Sequence, residues 1–433
     1  MGRIAARVYY RLSFGGGCVP VSGPALLVAN HPNSLLDPLL VVAAARRPVR
    51  FLAKAPLFID PRVGFLVRGA GAIPVHRRMD GPGPVERNED MFGAAHQVLA
   101  AGGAVALFPE GLSHSEPHLA PMKTGAARIA LGGYAAVGSA FPLIPVGLVF
   151  EQKDVFRSLA HVIVGTPVEW ADLAPRGVQD PDAVLKLTSR IAAALRGVTV
   201  NLERWADRPL VESAVEIWEA EFGASTEPAG RVARLEVASR GLAAMRAERS
   251  GRSMEFVDKV GEHARRLGHL GLRPGDLGAD VSLRSGAAWT LRQLPWVAVP
   301  AAAVAAVGWA LFWLPYRVTG RIALGMRPDD VERSTYKFLV GAVVYTCWVL
   351  LLAGLATAGA NLAWGVAALL VLPAAGMGGL VIRERWRGAW RDARRFFLLR
   401  SRRPLLEGLR KRQRELAAGL RTLLDQGAEE ISL

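Results

Sequence analysis

The chain has 433 residues, of which 51% are hydrophobic, with a formal net charge of +15 and a mean hydropathy of +0.23. That is too long for one ordinary domain and too apolar for an ordinary soluble protein. The positive charge is mostly arginine crowded around apolar segments, which favours an anionic membrane surface over nucleic acid as a partner. The two cysteines, Cys18 and Cys347, stand far apart without a CxxC pattern, so neither a disulfide framework nor a zinc site is expected.

Residues 1–14 space Arg3, Arg7 and Arg11 four apart, with Ile4, Val8, Leu12 and the Tyr9/Tyr10 pair between them. This predicts an amphipathic helix, either packed on its own domain or lying in the lipid headgroup layer. No continuous apolar run accompanies it, so no secretory signal is expected.

From 25 to about 170, short apolar runs alternate with helical patterns. Strands are predicted at Ala25–Ala29, Arg50–Ala53, Ala72–Val75, Val105–Phe108, Leu143–Leu148 and His161–Val164. Helices are predicted at 35–46, 62–69, 85–101 and 124–133. The alternation implies an α/β domain, a sheet covered by helices, over residues 1–200, with chemistry on the loops at strand ends. Residues 201–293 are charged and helical in pattern, broken by turns such as Arg273-Pro274-Gly275-Asp276, and read as a helical insert.

Residues 294–383 form a membrane region. Phe338–Ala358 and Leu362–Ile382 are each free of charge over 21 residues, which at ~1.5 Å per residue is ~30 Å, the thickness of a hydrocarbon core. The short Gly359-Ala360-Asn361 link makes them a helical hairpin. Segment 317–337 carries five basic against three acidic residues, and 383–415 thirteen against four. Both are therefore expected in the cytoplasm with the hairpin turn outside. With a cytoplasmic catalytic domain, 296–314, which contains Pro300, is expected to be re-entrant or interfacial; a true third span, which would put the basic tail outside, is the alternative. The basic tail 384–433 places leucines at 406, 409, 416, 420 and 423, a 3-4 repeat suited either to a homodimer or to packing on the chain's own helices.

Three clusters carry the chemistry. In Asn30-His31-Pro32-Asn33-Ser34-Leu35-Leu36-Asp37-Pro38 the histidine falls at a strand-to-helix turn. A carboxylate on one imidazole nitrogen fixes the tautomer and leaves the other nitrogen to take a proton. No GxSxG elbow supplies a nucleophile, so the attacked hydroxyl is expected to be the substrate's. Asp37 is placed at a surface turn, where exchange for asparagine should spare folding. The second cluster, Phe108-Pro109-Glu110-Gly111, offers a carboxylate and free amides in a tight turn. The third, Gly71-Ala72-Ile73-Pro74-Val75-His76-Arg77-Arg78, ends in an arginine pair that can clamp a phosphate; Lys54 and Lys123 are further candidates.

With Ile144-Pro145-Val146-Gly147, these blocks stand in the order that resembles the glycerol-phosphate acyltransferase superfamily. The resemblance covers roughly the first 200 residues. Five residues lie between His31 and Asp37, one more than the commonest family spacing. That spacing and Ser113-His114-Ser115-Glu116-Pro117-His118-Leu119-Ala120-Pro121-Met122-Lys123 are similar to the dual-specificity glycerol-3-phosphate/dihydroxyacetone-phosphate branch. Leu112-Ser113 replaces the usual Thr-Arg, moving any phosphate contact to Arg77 and Lys123. The resemblance implies a mixed sheet covered by helices, followed by the helical insert and membrane region. It implies transfer of an acyl group from acyl-CoA or acyl carrier protein to a glycerol-phosphate hydroxyl, with His31 as base, Asp37 as its partner, and Glu110 and Gly111 positioning the acceptor. It requires neither metal nor cofactor. The partners implied are membrane lipids and no nucleic acid, at an inner or plasma membrane. Another lyso-lipid as acceptor, a hydrolase, and a catalytically degenerate lipid-binding protein are the competing readings.

Overall fold

The computed structural model describes residues 2–76, 87–248, 250–279, 282–297, 299–401 and 403–432. They fall into two compact units: Met1–Val215 with Ala224–Arg249 and Leu423–Leu433, and Glu216–Gly223 with Ser250–Thr422.

The first unit runs α1 (Gly2–Tyr9), β1 (Arg11–Gly16), β2 (Ala25–Ala29), α2 (Leu36–Ala45), β3 (Val49–Lys54), α3 (Pro56–Ile59), α4 (Gly64–Gly69), β4 (Ile73–Val75), α5 (Arg87–Ala100), β5 (Ala104–Leu107), α6 (Gly125–Val137), β6 (Leu143–Phe150), β7 (Leu159–Val164) and α7 (Pro181–Val198), then the start of α8 (Arg208–Phe222) and α9 (Pro228–Glu248). Its seven strands form one sheet in the order β1-β7-β6-β2-β5-β3-β4. Strands β6, β2, β5, β3 and β4 are parallel, while β7 runs antiparallel to β6 and takes β1 parallel beside it. The central strands Ala25–Ala29 and Ala104–Leu107 are buried at every residue, as parallel strands covered on both faces must be. Leu26, Val28, Val105 and Leu143 pack with Leu99 of α5, Ile129 of α6 and Leu187 of α7. The mixed, helix-covered sheet is the expected fold class.

Two local expectations are corrected. The first helix stops at Tyr9, and Arg11–Gly16 forms an edge strand paired with β7. A segment ending in consecutive glycines is a poor helix, and ladder pairing outweighs the arginine periodicity. Tyr9 and Tyr10, expected on an amphipathic helix, are buried at 4% and 0% exposure.

The second unit holds α10 (Gly251–Leu270), α11 (Leu283–Val297), α12 (Val299–Gly325), α13 (Arg333–Gly359), α14 (Leu362–Ser401) and α15 (Arg403–Ser432) up to Thr422. Three stretches, Ala302–Gly325, Arg333–Gly359 and Leu362–Ser401, are long and apolar enough to cross a membrane. The expected hairpin is α13 and α14. The segment 296–314, expected to be re-entrant or interfacial, lies largely in α12, which continues through Pro315 to Gly325. The bond a proline removes bends a helix without ending it when neighbouring helices hold the turn. Gly308 of α12 and Gly379 of α14 approach so closely that a Cβ on either would sit 3.3 Å from the other's Cα, the small-residue contact expected between apolar helices. Leu406 and Leu409 pack on Leu267, Leu272 and Leu277. Two leucines of the repeat are thus buried within the chain.

Candidate active site

Parallel strands gather the sequence clusters at one edge of the sheet. Asn30-His31 follows β2, Phe108–Gly111 follows β5, Lys54 closes β3 and His76 follows β4, all at carboxyl ends of parallel neighbours. In α/β sheets this edge is where ligands bind. Arg77 and Arg78 lie outside the described residues.

His31 and Asp37 meet as expected, with Nδ1 2.9 Å from Oδ2. Asp37 is fully buried in the first turn of α2, so the expectation of a surface turn is corrected. Its Oδ2 also accepts the Asn33 N–H at 2.7 Å, while Oδ1 has no hydrogen-bond partner among the described residues. Burial pushes the Asp37 carboxyl above its usual range; the bonds from His31 and Asn33 oppose this. The His31 side chain keeps 19% exposure. With Nδ1 committed to Asp37, Nε2 is the nitrogen left to exchange a proton.

The loop carrying this pair is fastened on all sides. Asn30 bridges to β6, donating to the Leu148 carbonyl at 3.0 Å and accepting the Leu148 N–H at 2.7 Å. Ser34 takes a left-handed conformation, φ 46°, a strained position for a non-glycine residue. Ser113 Oγ holds it, accepting the Ser34 N–H at 3.1 Å and donating to the His31 carbonyl at 2.9 Å. Asn33 donates to the Tyr10 hydroxyl at 2.6 Å, and that hydroxyl donates to the Lys153 carbonyl. Lys153 Nζ donates to the Pro32 carbonyl at 3.0 Å. Tyr10 and Lys153 were not picked out from the sequence. Lys153 follows a parallel strand's carboxyl end, which was the available signal; Tyr10 left none.

Glu110 is 1% exposed and faces inward. Its Oε1 accepts the His31 N–H at 3.0 Å, and its Oε2 accepts the Ala120 N–H at 2.7 Å and bonds the His114 ring. That bond pushes the His114 imidazole up. The carboxylate thus secures the loop that carries His31. Gly111, at φ 71°, closes the tight turn in a conformation that glycine adopts without strain. Lys123 Nζ occupies the space its Cβ would fill. Lys123 is therefore at the site, and Lys54 stands exposed at the end of β3.

The segment after residue 200 also enters the site. Asn201 Oδ1 accepts the Leu119 N–H at 3.0 Å, Leu202 N–H donates to the Pro117 carbonyl at 2.9 Å and Trp205 Nε1 donates to the Ser115 carbonyl at 2.6 Å. Asn201 is gripped in turn by Glu236 of α9, whose Oε2 accepts its N–H at 2.7 Å. Burial pushes the Glu236 carboxyl up. A cavity of about 260 Å³ lies here, reached by His31, His114, Lys153, Leu202, Trp205 and Leu235.

Known proteins resemble part of this chain. The Acyltransferase family model matches residues 15–149. Glycerol-3-phosphate O-acyltransferase 2 of Saccharomyces cerevisiae is 31% identical over 140 residues, covering 30% of this chain and 18% of that protein. The 1-acyl-sn-glycerol-3-phosphate acyltransferase of Bacillus subtilis is 30% identical over 129 residues, covering 29% of this chain and 57% of that protein. The crystal structure of the 1-acyl-sn-glycerophosphate acyltransferase PlsC from Thermotoga maritima aligns with a TM-score of 0.33 at 20% identity, covering 45% of this chain and 74% of that one. The matches span less than two thirds of the two curated relatives' own length. The stretch that matches the Acyltransferase family model, residues 15–149, holds His31, Asp37, Glu110 and Lys123.

Proposed function

We propose that this protein is a membrane-bound acyltransferase that moves a fatty acyl group from acyl-CoA or acyl carrier protein to a hydroxyl of glycerol 3-phosphate or 1-acylglycerol 3-phosphate. The observation that carries the reading is the His31–Asp37 pair, 2.9 Å apart with Asp37 buried. His31 Nε2 takes the proton of the acceptor hydroxyl as its oxygen attacks the thioester carbonyl carbon. The buried carboxylate stabilises the imidazolium. The tetrahedral intermediate then expels the thiolate as the C–S bond breaks, and the imidazolium returns the proton to sulfur. Lys123, Arg77 and Lys54 supply cations for the acceptor phosphate. Glu110 and Gly111 act through the loop they shape. The chain's own residues suffice for these steps.

The longer His31–Asp37 spacing and the similarity to the yeast glycerol-3-phosphate acyltransferase favour the unacylated acceptor. The apolar helices and the basic segments 317–337 and 383–415 support a place in an inner or plasma membrane, catalytic unit toward the cytoplasm.

The test is an assay of membranes containing the protein with labelled acyl-CoA and each acceptor in turn. Glycerol 3-phosphate should be acylated faster than the lyso-lipid. Thioester loss at the same rate without any acceptor would make the protein a hydrolase. Activity that survives His31→Ala would remove the dyad from the reaction.

A further inference from the structure

Helices α3 and α4 join β3 to β4 at the sheet edge that carries His31. They pack on one another across the short link 60–63, and α4 turns Val67 inward to 7% exposure and Gly64 with it. A helix that spends one face on the core should present polar residues on the other. Here the other face carries Phe65 at 61% and Leu66 at 39% exposure, and α3 adds Ile59 at 85%. A single exposed apolar residue needs no explanation, but three on two consecutive short helices mark a contact surface.

The charges around them say which kind. From Lys54 to Ala70 the basic residues are Lys54, Arg62 and Arg68, against one acidic residue, Asp60. All three basic side chains are exposed. Large exposed apolar side chains with exposed cations close by in sequence suit the boundary between acyl chains and anionic headgroups, where the apolar tips bury among acyl chains and the cations meet phosphate. A bilayer is within reach of this chain, which carries three helices able to cross one. A protein partner would call for a shaped, self-complementary face; a fluid surface asks only for protrusion and charge.

We propose that Ile59, Phe65 and Leu66 form an insertion patch that seats the carboxyl edge of the sheet on an anionic lipid surface, with Arg62 and Arg68 pairing with headgroup phosphates. The patch stands apart from the choice of acceptor and is tested without turnover.

The test uses the full chain carrying Cys18→Ser and Cys347→Ser, with an environment-sensitive fluorophore on a cysteine at Phe65→Cys or, separately, Ile59→Cys. Leu185→Cys, on α7 and 61% exposed in the parent residue, serves as reference. In nanodiscs of phosphatidylglycerol, doxyl-labelled lipid should quench the probes at 59 and 65 several-fold more than the one at 185. Arg62→Glu with Arg68→Glu should bring the difference down to the reference. Quenching at 59 and 65 no greater than at 185 would overturn the proposal. So would a probe shielded from water yet inaccessible to doxyl lipid, the signature of a second protein copy on the patch. Undiminished quenching after charge reversal would overturn the headgroup pairing.

Discussion

The imidazole of His31 lies flat against the ring of Phe108, centroids 3.8 Å apart and planes 7° from parallel. The stack fixes the plane of the imidazole, and the Asp37 bond fixes its rotation within that plane. Two restraints from different directions leave Nε2 one direction to face. Phe108 thus explains the aromatic residue before Pro109-Glu110: it is the floor under the histidine.

Phe108→Leu should keep the fold and lower kcat, since a flat contact worth about 1 kcal/mol is lost from the base's orientation. A fall of roughly three- to tenfold with KM little changed is expected. Steady-state kinetics on membranes decides it, and an unchanged kcat would show that Asp37 alone aligns the ring.

Asp37→Asn should cost roughly 10³- to 10⁴-fold in kcat, because an amide cannot stabilise the imidazolium and offers its N–H₂ to the wrong tautomer. Asp37 is buried and accepts the Asn33 N–H, so the variant is also expected to lose stability, by roughly 1–3 kcal/mol. Circular dichroism melting alongside kinetics separates the two effects. Full activity would remove Asp37 from the mechanism.

Arg77→Ala and Lys123→Ala should each raise KM for a phosphorylated acceptor, by roughly ten- to hundredfold if a charge-assisted bond of about 1.5–3 kcal/mol is lost. KM for the acyl donor should hold. If acceptors with and without phosphate respond alike, these cations do not bind it.

Glu236 yields a prediction in pH. Its carboxyl is raised above the usual range by burial, while Asn201 and Arg240 pull the other way. The folded protein therefore holds this proton more tightly than the unfolded chain does. Stability from this group is greatest below the ordinary carboxylate range and falls as pH rises through the raised value. Glu236→Gln keeps an acceptor for Asn201 and removes the charge. It should melt at a higher temperature than the parent at neutral pH, with the gap closing as pH falls to about 4. Thermal melts across that range test it; a parallel pair of curves would contradict it.

The site was legible where chemistry sits close in sequence. His31 and Asp37 share one turn, and the predicted strands at Ala25–Ala29 and Leu143–Leu148 appear because buried parallel strands read as continuous apolar runs. The edge strand Arg11–Gly16 was hidden, since its pairing with β7 joins residues some 150 apart and its composition suggests no strand. The same distance hid Tyr10 and Lys153. Glu110 was found, but its direction was not: its chemistry suits substrate or scaffold equally, and only its burial and its bonds to His31 and Ala120 decide. The continuity of α12 is not legible from sequence, because Pro300 and Pro315 read as breaks taken singly, whereas the helix starts at Val299 and runs through Pro315.

The clasp formed by Asn201, Leu202 and Trp205 on loop 115–119 bears on where this chain can be cut. A fragment trimmed to the family boundary would retain the base, its carboxylate and the Phe-Pro-Glu-Gly turn, yet lose every one of those ties and the α9 glutamate behind them. A fragment that keeps the proposed site intact therefore extends to about residue 248, and α9 forms part of that site's outer wall.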